Sequence, residues 1–134
     1  MDSPLVRLAS CSCGQLRARV LGEPLRISIC HCLNCQRRSG GPFAQQARFA
    51  RENVQLEGSS TEFVLAGDSG ARAHFHFCPR CGTTVYYEAE ALPEYIMVPV
   101  GVFADPAFPA PTVSVYEERM HGWVVPPPDA EHYP

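Results

Sequence analysis

Three thiols fall within six residues of this chain, at Cys30-His31-Cys32-Leu33-Asn34-Cys35, directly after an apolar strand-like run. That spacing constrains the fold more than any other feature. Three sulfurs so close can grip one metal ion from a single turn of backbone, and they leave a fourth coordination position open. Four further cysteines, Cys11, Cys13, Cys78 and Cys81, form a second set. Seven is odd, so pairing every cysteine in disulfides within one chain is impossible. Cys11/Cys13 and Cys30/Cys32 are also spaced too tightly for relaxed disulfide geometry. In a reducing compartment such clusters bind metal more often than they form bridges.

Cys-x-Cys suits zinc for a geometric reason. Residues i and i+2 of a strand point to the same side, about 6.5 Å apart, and tetrahedral zinc at about 2.3 Å from each sulfur needs sulfurs about 3.8 Å apart. Side chains leaning inward close that gap. Cys-x2-Cys does the same in a turn, where a following glycine lets backbone N–H groups face the sulfurs; Gly14 and Gly82 occupy that position. Pairing Cys11/Cys13 with Cys78/Cys81 makes a closed four-cysteine site with a structural role. The competing reading of Cys78/Cys81 is a redox pair, but its surroundings lack the βαβ pattern such a pair needs.

Cys30, Cys32 and Cys35 are then one ligand short. His31, His74 or His76 could complete a second structural site. The reading favoured by the residues is an open zinc whose fourth position receives water or an incoming thiol. Three thiolates on a dication leave a net negative centre, weak at making hydroxide and suited to holding a soft thiolate that stays nucleophilic. Arg37 and Arg38 follow immediately; they can lower a thiol's pKa or bind a carboxylate on the same molecule, or they can simply form a solvated face. A small acidic thiol is the implied substrate class.

The rest of the chain predicts short strands. Leu16, Ala18 and Val20 alternate with Arg17 and Arg19 over Gln15 to Val20. Further strands are expected over Leu25 to Ile29, Phe43 to Phe49, Val54 to Glu57, Thr61 to Leu65, Arg72 to Phe77, Thr83 to Glu88 and Tyr95 to Val102, the last running through the core despite Pro99. Residues 5–8 are expected to begin an edge strand, Gln36 to Ser39 a helical turn, 67–70 a hairpin turn and Thr112 to Tyr116 a last strand. Trp123 is expected to pack near the end, before a proline-rich tail over 126–134. Thirteen prolines agree with loops rather than long helices. The expectation is one all-β domain over 1–134, with antiparallel sheets and a core over about 9–123.

Charge and length exclude several function classes. All eleven basic residues are arginine; a GC-rich coding sequence is the blander source of that bias. Seven thiolates and two zinc ions would take a formal charge of −3 to about −6, against general affinity for nucleic acid or anionic lipid. No run approaches the roughly 20 apolar residues of a membrane span, and Met1-Asp2-Ser3-Pro4 lacks the look of a signal peptide. The expectation is a cytoplasmic protein with no membrane and no nucleic-acid partner.

Three stretches together resemble the glutathione-dependent formaldehyde-activating enzyme family, or CENP-V/GFA domain. They are Cys11-Ser-Cys13-Gly14, Cys30-His-Cys32-Leu-Asn-Cys35-Gln-Arg-Arg-Ser-Gly40 and Phe77-Cys78-Pro-Arg-Cys81-Gly-Thr83, in the family's order. The resemblance implies the β-tent fold, with structural zinc on Cys11, Cys13, Cys78 and Cys81 and catalytic zinc on Cys30, Cys32 and Cys35. It implies a carbon–sulfur lyase that makes or breaks the S-hydroxymethyl adduct of glutathione and formaldehyde. A non-catalytic zinc module that docks a protein is the alternative the same fold allows.

Overall fold

The computed structural model describes residues 5–67 and 69–134. Alternation at Ala18 and Val20 is realised in β2 (Arg17–Leu21), with buried Leu16 just before it; β2 pairs antiparallel with β1 (Val6–Ser10) on one side and β5 (Val54–Glu57) on the other. These three strands make a small sheet. The remaining strands are β3 (Arg26–Cys30), β4 (Ala44–Ala50), β6 (Thr61–Ala66), β7 (Arg72–Phe77), β8 (Thr84–Ala89), β9 (Tyr95–Pro99), β10 (Val113–Val115) and β11 (Glu131–His132). They form an eight-stranded sheet in the order β11-β10-β3-β4-β9-β8-β7-β6.

The core lies between the two sheets. Ala9, Leu16, Ala18 and Val20 from the small sheet meet Ile27, Ala47, Phe49, Val85, Ile96 and Val98 from the large one. Each fully buried aliphatic or aromatic side chain there contributes about 1.5–3 kcal/mol by leaving water. Because a strand alternates faces, every core residue of β3 has a neighbour on the opposite face: Ile27 and Ile29 are buried, while Arg26, Ser28 and Cys30 point the other way. The site lies on that opposite face.

Several expectations are corrected. Leu25 precedes β3 and is 61% exposed; it is one apolar residue before the alternation begins. The apolar run Tyr95 to Val102 is not one strand. It stops at Pro99, which has no N–H to extend a ladder, and continues as a 3-10 turn over Val100–Phe103 that still buries Phe103. The sheets are not purely antiparallel, since β10 runs parallel to both β3 and β11. Trp123 does not pack inside: it is 73% exposed, edge-on to His121 at 5.9 Å. The segment expected as a tail turns at Pro127, buries Ala130, and returns as β11 along β10. Between β6 and β7 the chain closes through Gly67 N donating to Ala71 O at 2.8 Å; Asp68 of the expected turn lies outside the described residues. Among the described residues the one α-helix, α1 (Leu33–Ser39), is longer than the turn expected over Gln36 to Ser39 and ends at Gly40 in the left-handed region.

Gly58 lies where the backbone passes close against the segment at Gln15 and Leu16. Its φ is +95°, and a Cβ there would overlap the carbonyl oxygen of Gln15. Gly58→Ala combines left-handed strain with a backbone clash and is expected to lower stability by about 1–3 kcal/mol, read as a lower urea midpoint. An unchanged midpoint would mean that the two segments separate freely.

Candidate metal centres

Cys11, Cys13, Cys78 and Cys81 converge, with their sulfurs all within 4.8 Å of one another. Cys11 and Cys13 are 3.6 Å apart, as are Cys13 and Cys78, close to the separation expected around one tetrahedral ion. Two glycine-closed turns of different length supply them. Gly14 and Gly82 have φ of +86° and +79°, and each donates its N–H back to the first cysteine's carbonyl, Cys11 O at 3.1 Å and Cys78 O at 2.8 Å. Leu16 N then faces Cys11 Sγ at 3.3 Å and Arg80 N faces Cys78 Sγ at 3.4 Å. Donors aimed at sulfur favour thiolate.

These sulfurs do not share charge evenly. The Thr83 hydroxyl and nearby backbone N–H groups bring Cys81 down to about 5. Burial opposes ionisation of Cys78, yet Gln15 and two backbone N–H groups hold it below its ordinary value. Cys13 gains a backbone hydrogen bond that favours its thiolate, but burial and the three neighbouring sulfurs push it up to about 11. Four thiols with no cation between them keep at least one proton; a dication among them removes that conflict. The donor set therefore fits a soft divalent ion such as zinc.

Gln15 is a site residue that spacing did not reveal. Its Nε2 donates to Cys78 Sγ at 2.9 Å and to Ser59 O at 2.8 Å, and its Oε1 accepts from Ser59 N at 2.9 Å. One amide thus ties the cysteine cluster to the turn that Gly58 makes possible.

Cys30, Cys32 and Cys35 form the second cluster, again with sulfurs within 4.8 Å of one another. Cys30 is the last residue of β3 and is buried. Cys32 caps α1, its Sγ accepting from Cys35 N at 3.3 Å. Cys35 follows in the first turn. Hydrogen bonding to Cys30 comes first among the influences that bring Cys35 down to about 6, with Cys32 and Arg38 assisting against burial, while Cys30 is pushed up by the same bond and by burial. Three soft donors fit a thiophilic divalent ion here too.

None of the expected histidines joins this set; among the described residues no fourth Cys, His, Asp or Glu does. His31 is fully buried, with Nε2 3.0 Å from Ser114 Oγ on β10 and its ring edge-on to Phe43. Burial lowers its pKa, so it packs as neutral imidazole. His74 and His76 face carboxylates on β6, on β8 and just after β8: His74 Nε2 is 2.6 Å from Glu90 and its Nδ1 3.3 Å from Glu62, and His76 lies 3.5 Å from Glu88 and stacks on Tyr86 at 4.4 Å.

Arg38 reaches back toward Cys35 while its guanidinium lies over Phe75 at 4.9 Å and Tyr87 at 5.4 Å. Arg37, Arg38 and Asn34 rim a cavity of about 450 Å³ whose floor is apolar, made by Phe63, Leu65, Phe75 and Phe77. A second cavity of about 250 Å³ has Cys30 in its lining. Gln36 fixes α1 between the two halves of the site, donating to His31 O at 2.8 Å and Arg119 O at 3.0 Å and meeting His121 at 3.0 Å.

The chain is all-β and carries two convergent thiol clusters, one of four sulfurs and one of three, each of which could hold a metal ion. A sequence profile described as glutathione-dependent formaldehyde-activating enzyme matches residues 6–119, and the chain belongs to that family. It is 30% identical over 78 residues to an uncharacterized lyase of Schizosaccharomyces pombe, an alignment covering 58% of this chain and 54% of that protein; the chain thus spans about half the length of the curated relative it matches. A crystal structure of a Rhodobacter sphaeroides protein superposes with a TM-score of 0.57 at 20% identity, covering 95% of this chain and 99% of the other, and shares the fold. No helix of the described residues is long and apolar enough to cross a membrane.

Two outcomes follow. Gln15→Leu removes a donor to Cys78 Sγ and is expected to weaken metal retention at the four-cysteine cluster by about 10–100-fold, measured by chelator competition. His74 has its pKa raised, first by Glu90 and then by Glu62, above the ordinary 6.5. Its contribution to stability is complete below that value and lost as pH rises through the raised one. As pH rises above that ordinary value, the wild-type melting temperature should therefore fall more steeply than that of His74→Gln; parallel profiles would remove His74 from the balance.

Proposed function

We propose that the chain is a carbon–sulfur lyase of the glutathione-dependent formaldehyde-activating type, forming or cleaving a thiol–aldehyde adduct at Cys30, Cys32 and Cys35. In this reading Cys11, Cys13, Cys78 and Cys81 hold a zinc ion that staples the fold. The observation that carries it is the incomplete set: three converged sulfurs with no fourth Cys, His, Asp or Glu among the described residues, flanked by two cavities. Family membership supports the same chemistry.

When bound to three thiolates, zinc supplies a soft, electron-rich position that keeps an incoming thiol ionised and nucleophilic. The chain's own residues do the rest. Cys30 on a rigid strand and Cys35 on α1 set the direction from which the thiol approaches, since both elements are held by backbone ladders. Arg38 stabilises thiolate charge beside Cys35, and Arg37 stands on the rim as a contact for an anionic group. The thiolate sulfur attacks the aldehyde carbon, the C=O π pair moves onto oxygen, and the proton given up by the thiol ends there. Cleavage is the reverse.

A second reading, a non-catalytic module that docks a protein, draws on the apolar floor of the larger cavity, where Phe63 is 58% exposed. Zinc-loaded protein incubated with glutathione and formaldehyde separates the two. Exchange between free and adduct forms, followed by NMR, should exceed the protein-free rate; a rate equal to the control would sink the lyase reading. Two zinc ions per chain are expected, one released first to a chelator. Cys32→Ser should remain folded and lack the labile ion, whereas Cys78→Ser should fail to fold. Equal aggregation of both variants would contradict the division of roles.

A further inference from the structure

The face of β3 and β4 that carries Cys30 also carries a row of polar side chains that the three-cysteine cluster does not use. Cross-strand register sets it out in three steps: Cys30 opposite Ala44, Ser28 opposite Gln46, and Arg26 opposite Arg48. Cys30, Ser28, Gln46, Arg26 and Arg48 all line one cavity of about 250 Å³.

Three features of this row are unfavourable unless something occupies the cavity. Two arginines stand directly opposite each other, a pairing that repels. Neither forms an ion pair with a carboxylate among the described residues, where Arg7, Arg17, Arg51 and Arg72 all do. Gln46 Oε1 and Arg48 Nε are buried with no hydrogen-bond partner among those residues, and buried groups left unpaired cost free energy. The Arg48 guanidinium is also fixed in place, over the Tyr95 ring at 5.0 Å. At the cavity's edge Tyr116 holds φ of +57°, a conformation non-glycine residues seldom adopt. One unmet guanidinium donor, one unmet amide oxygen and excess positive charge together describe the complement of a carboxylate joined to an amide.

Distance narrows the ligand. Arg26 and Cys30 are four strand steps apart, about 13 Å at the rise of a strand, which is the span of an extended peptide of about four residues and beyond a two-carbon thiol. We propose that this cavity binds the anionic, amide-bearing portion of a short peptide thiol, Arg26 and Arg48 taking its carboxylate and Gln46 Oε1 an amide N–H, with the thiol delivered beside Cys30. The assignment rests on the thiol-presenting reading of Cys30, Cys32 and Cys35. It makes Arg26 and Arg48, on the strands, the specificity-determining arginines, in addition to Arg37 and Arg38 on α1.

Binding is tested without the thiol. The probe is the glutathione analogue with alanine in place of cysteine, titrated calorimetrically into the zinc-loaded full chain. Wild type should bind it saturably. Arg26→Met and Arg48→Met should each weaken binding about ten- to hundredfold, the loss of a charge-assisted hydrogen bond. Arg48→Lys should restore part of the loss, because charge returns without the fork, and the exposed, ion-paired Arg17→Met should bind as wild type does. Zinc content and circular dichroism report whether each variant is folded. Should Arg48→Met fail to fold, Arg26→Met and an analogue with both carboxyls amidated still decide. Absence of saturable binding to wild type, binding by both arginine variants within about twofold of wild type, or equal binding of the amidated analogue would each overturn the proposal. Those results alongside intact adduct exchange would leave the lyase reading standing. Arginine-dependent binding without exchange would do the opposite.

Discussion

Four sulfurs held within 4.8 Å of one another cannot all carry charge unless a cation lies among them. That electrostatic conflict organises the molecule. Cys11 and Cys13 follow β1 of the small sheet, and Cys78 and Cys81 lie in the turn between β7 and β8 of the large one. Whatever reconciles their charges also joins the two sheets over the core. Gln15 and Gly58 belong to the same junction: one amide bridges sulfur and loop, and one missing Cβ lets the loop come close enough.

The second cluster depends on that frame without sharing its completeness. Cys30 is placed by β3, whose neighbours β4 and β10 are themselves held from both sides, and Cys32 and Cys35 are placed by the first turn of α1. A strand and a short helix meeting at three thiols make a rigid cradle for an ion the sulfurs could hold. Buried His31 reinforces it from behind through Ser114, where a coordinating role was an open expectation. Its side chain points away from the sulfurs, the consequence of alternating directions along an extended backbone.

Much of this was legible in the residues, because local spacing and local alternation are properties of contiguous chain. The three knuckles, the faces of β2 and the strand at Arg72 to Phe77 all follow from such patterns. The opposite face of β3 was equally legible and went unread: Arg26, Ser28 and Cys30 alternate as regularly as Ile27 and Ile29 do. Misjudged elements share one cause. Tyr95 to Val102 is uniformly apolar, and hydropathy alone does not separate strand from 3-10 turn. Trp123 is large and apolar, but only its neighbours in space could decide whether it is covered.

By itself the sequence determined which atoms are available for metal and which residues alternate toward a core, since both depend on separations of a few residues. Tertiary structure alone decided that β10 runs parallel to β3, that β11 returns beside it, and that Arg26 stands opposite Arg48. These juxtapositions join segments 18 to 85 residues apart, and no local preference encodes them. They arise because burying the inner face of each strand leaves a single register for the outer one, and that register sets the arginines and Cys30 along one cavity.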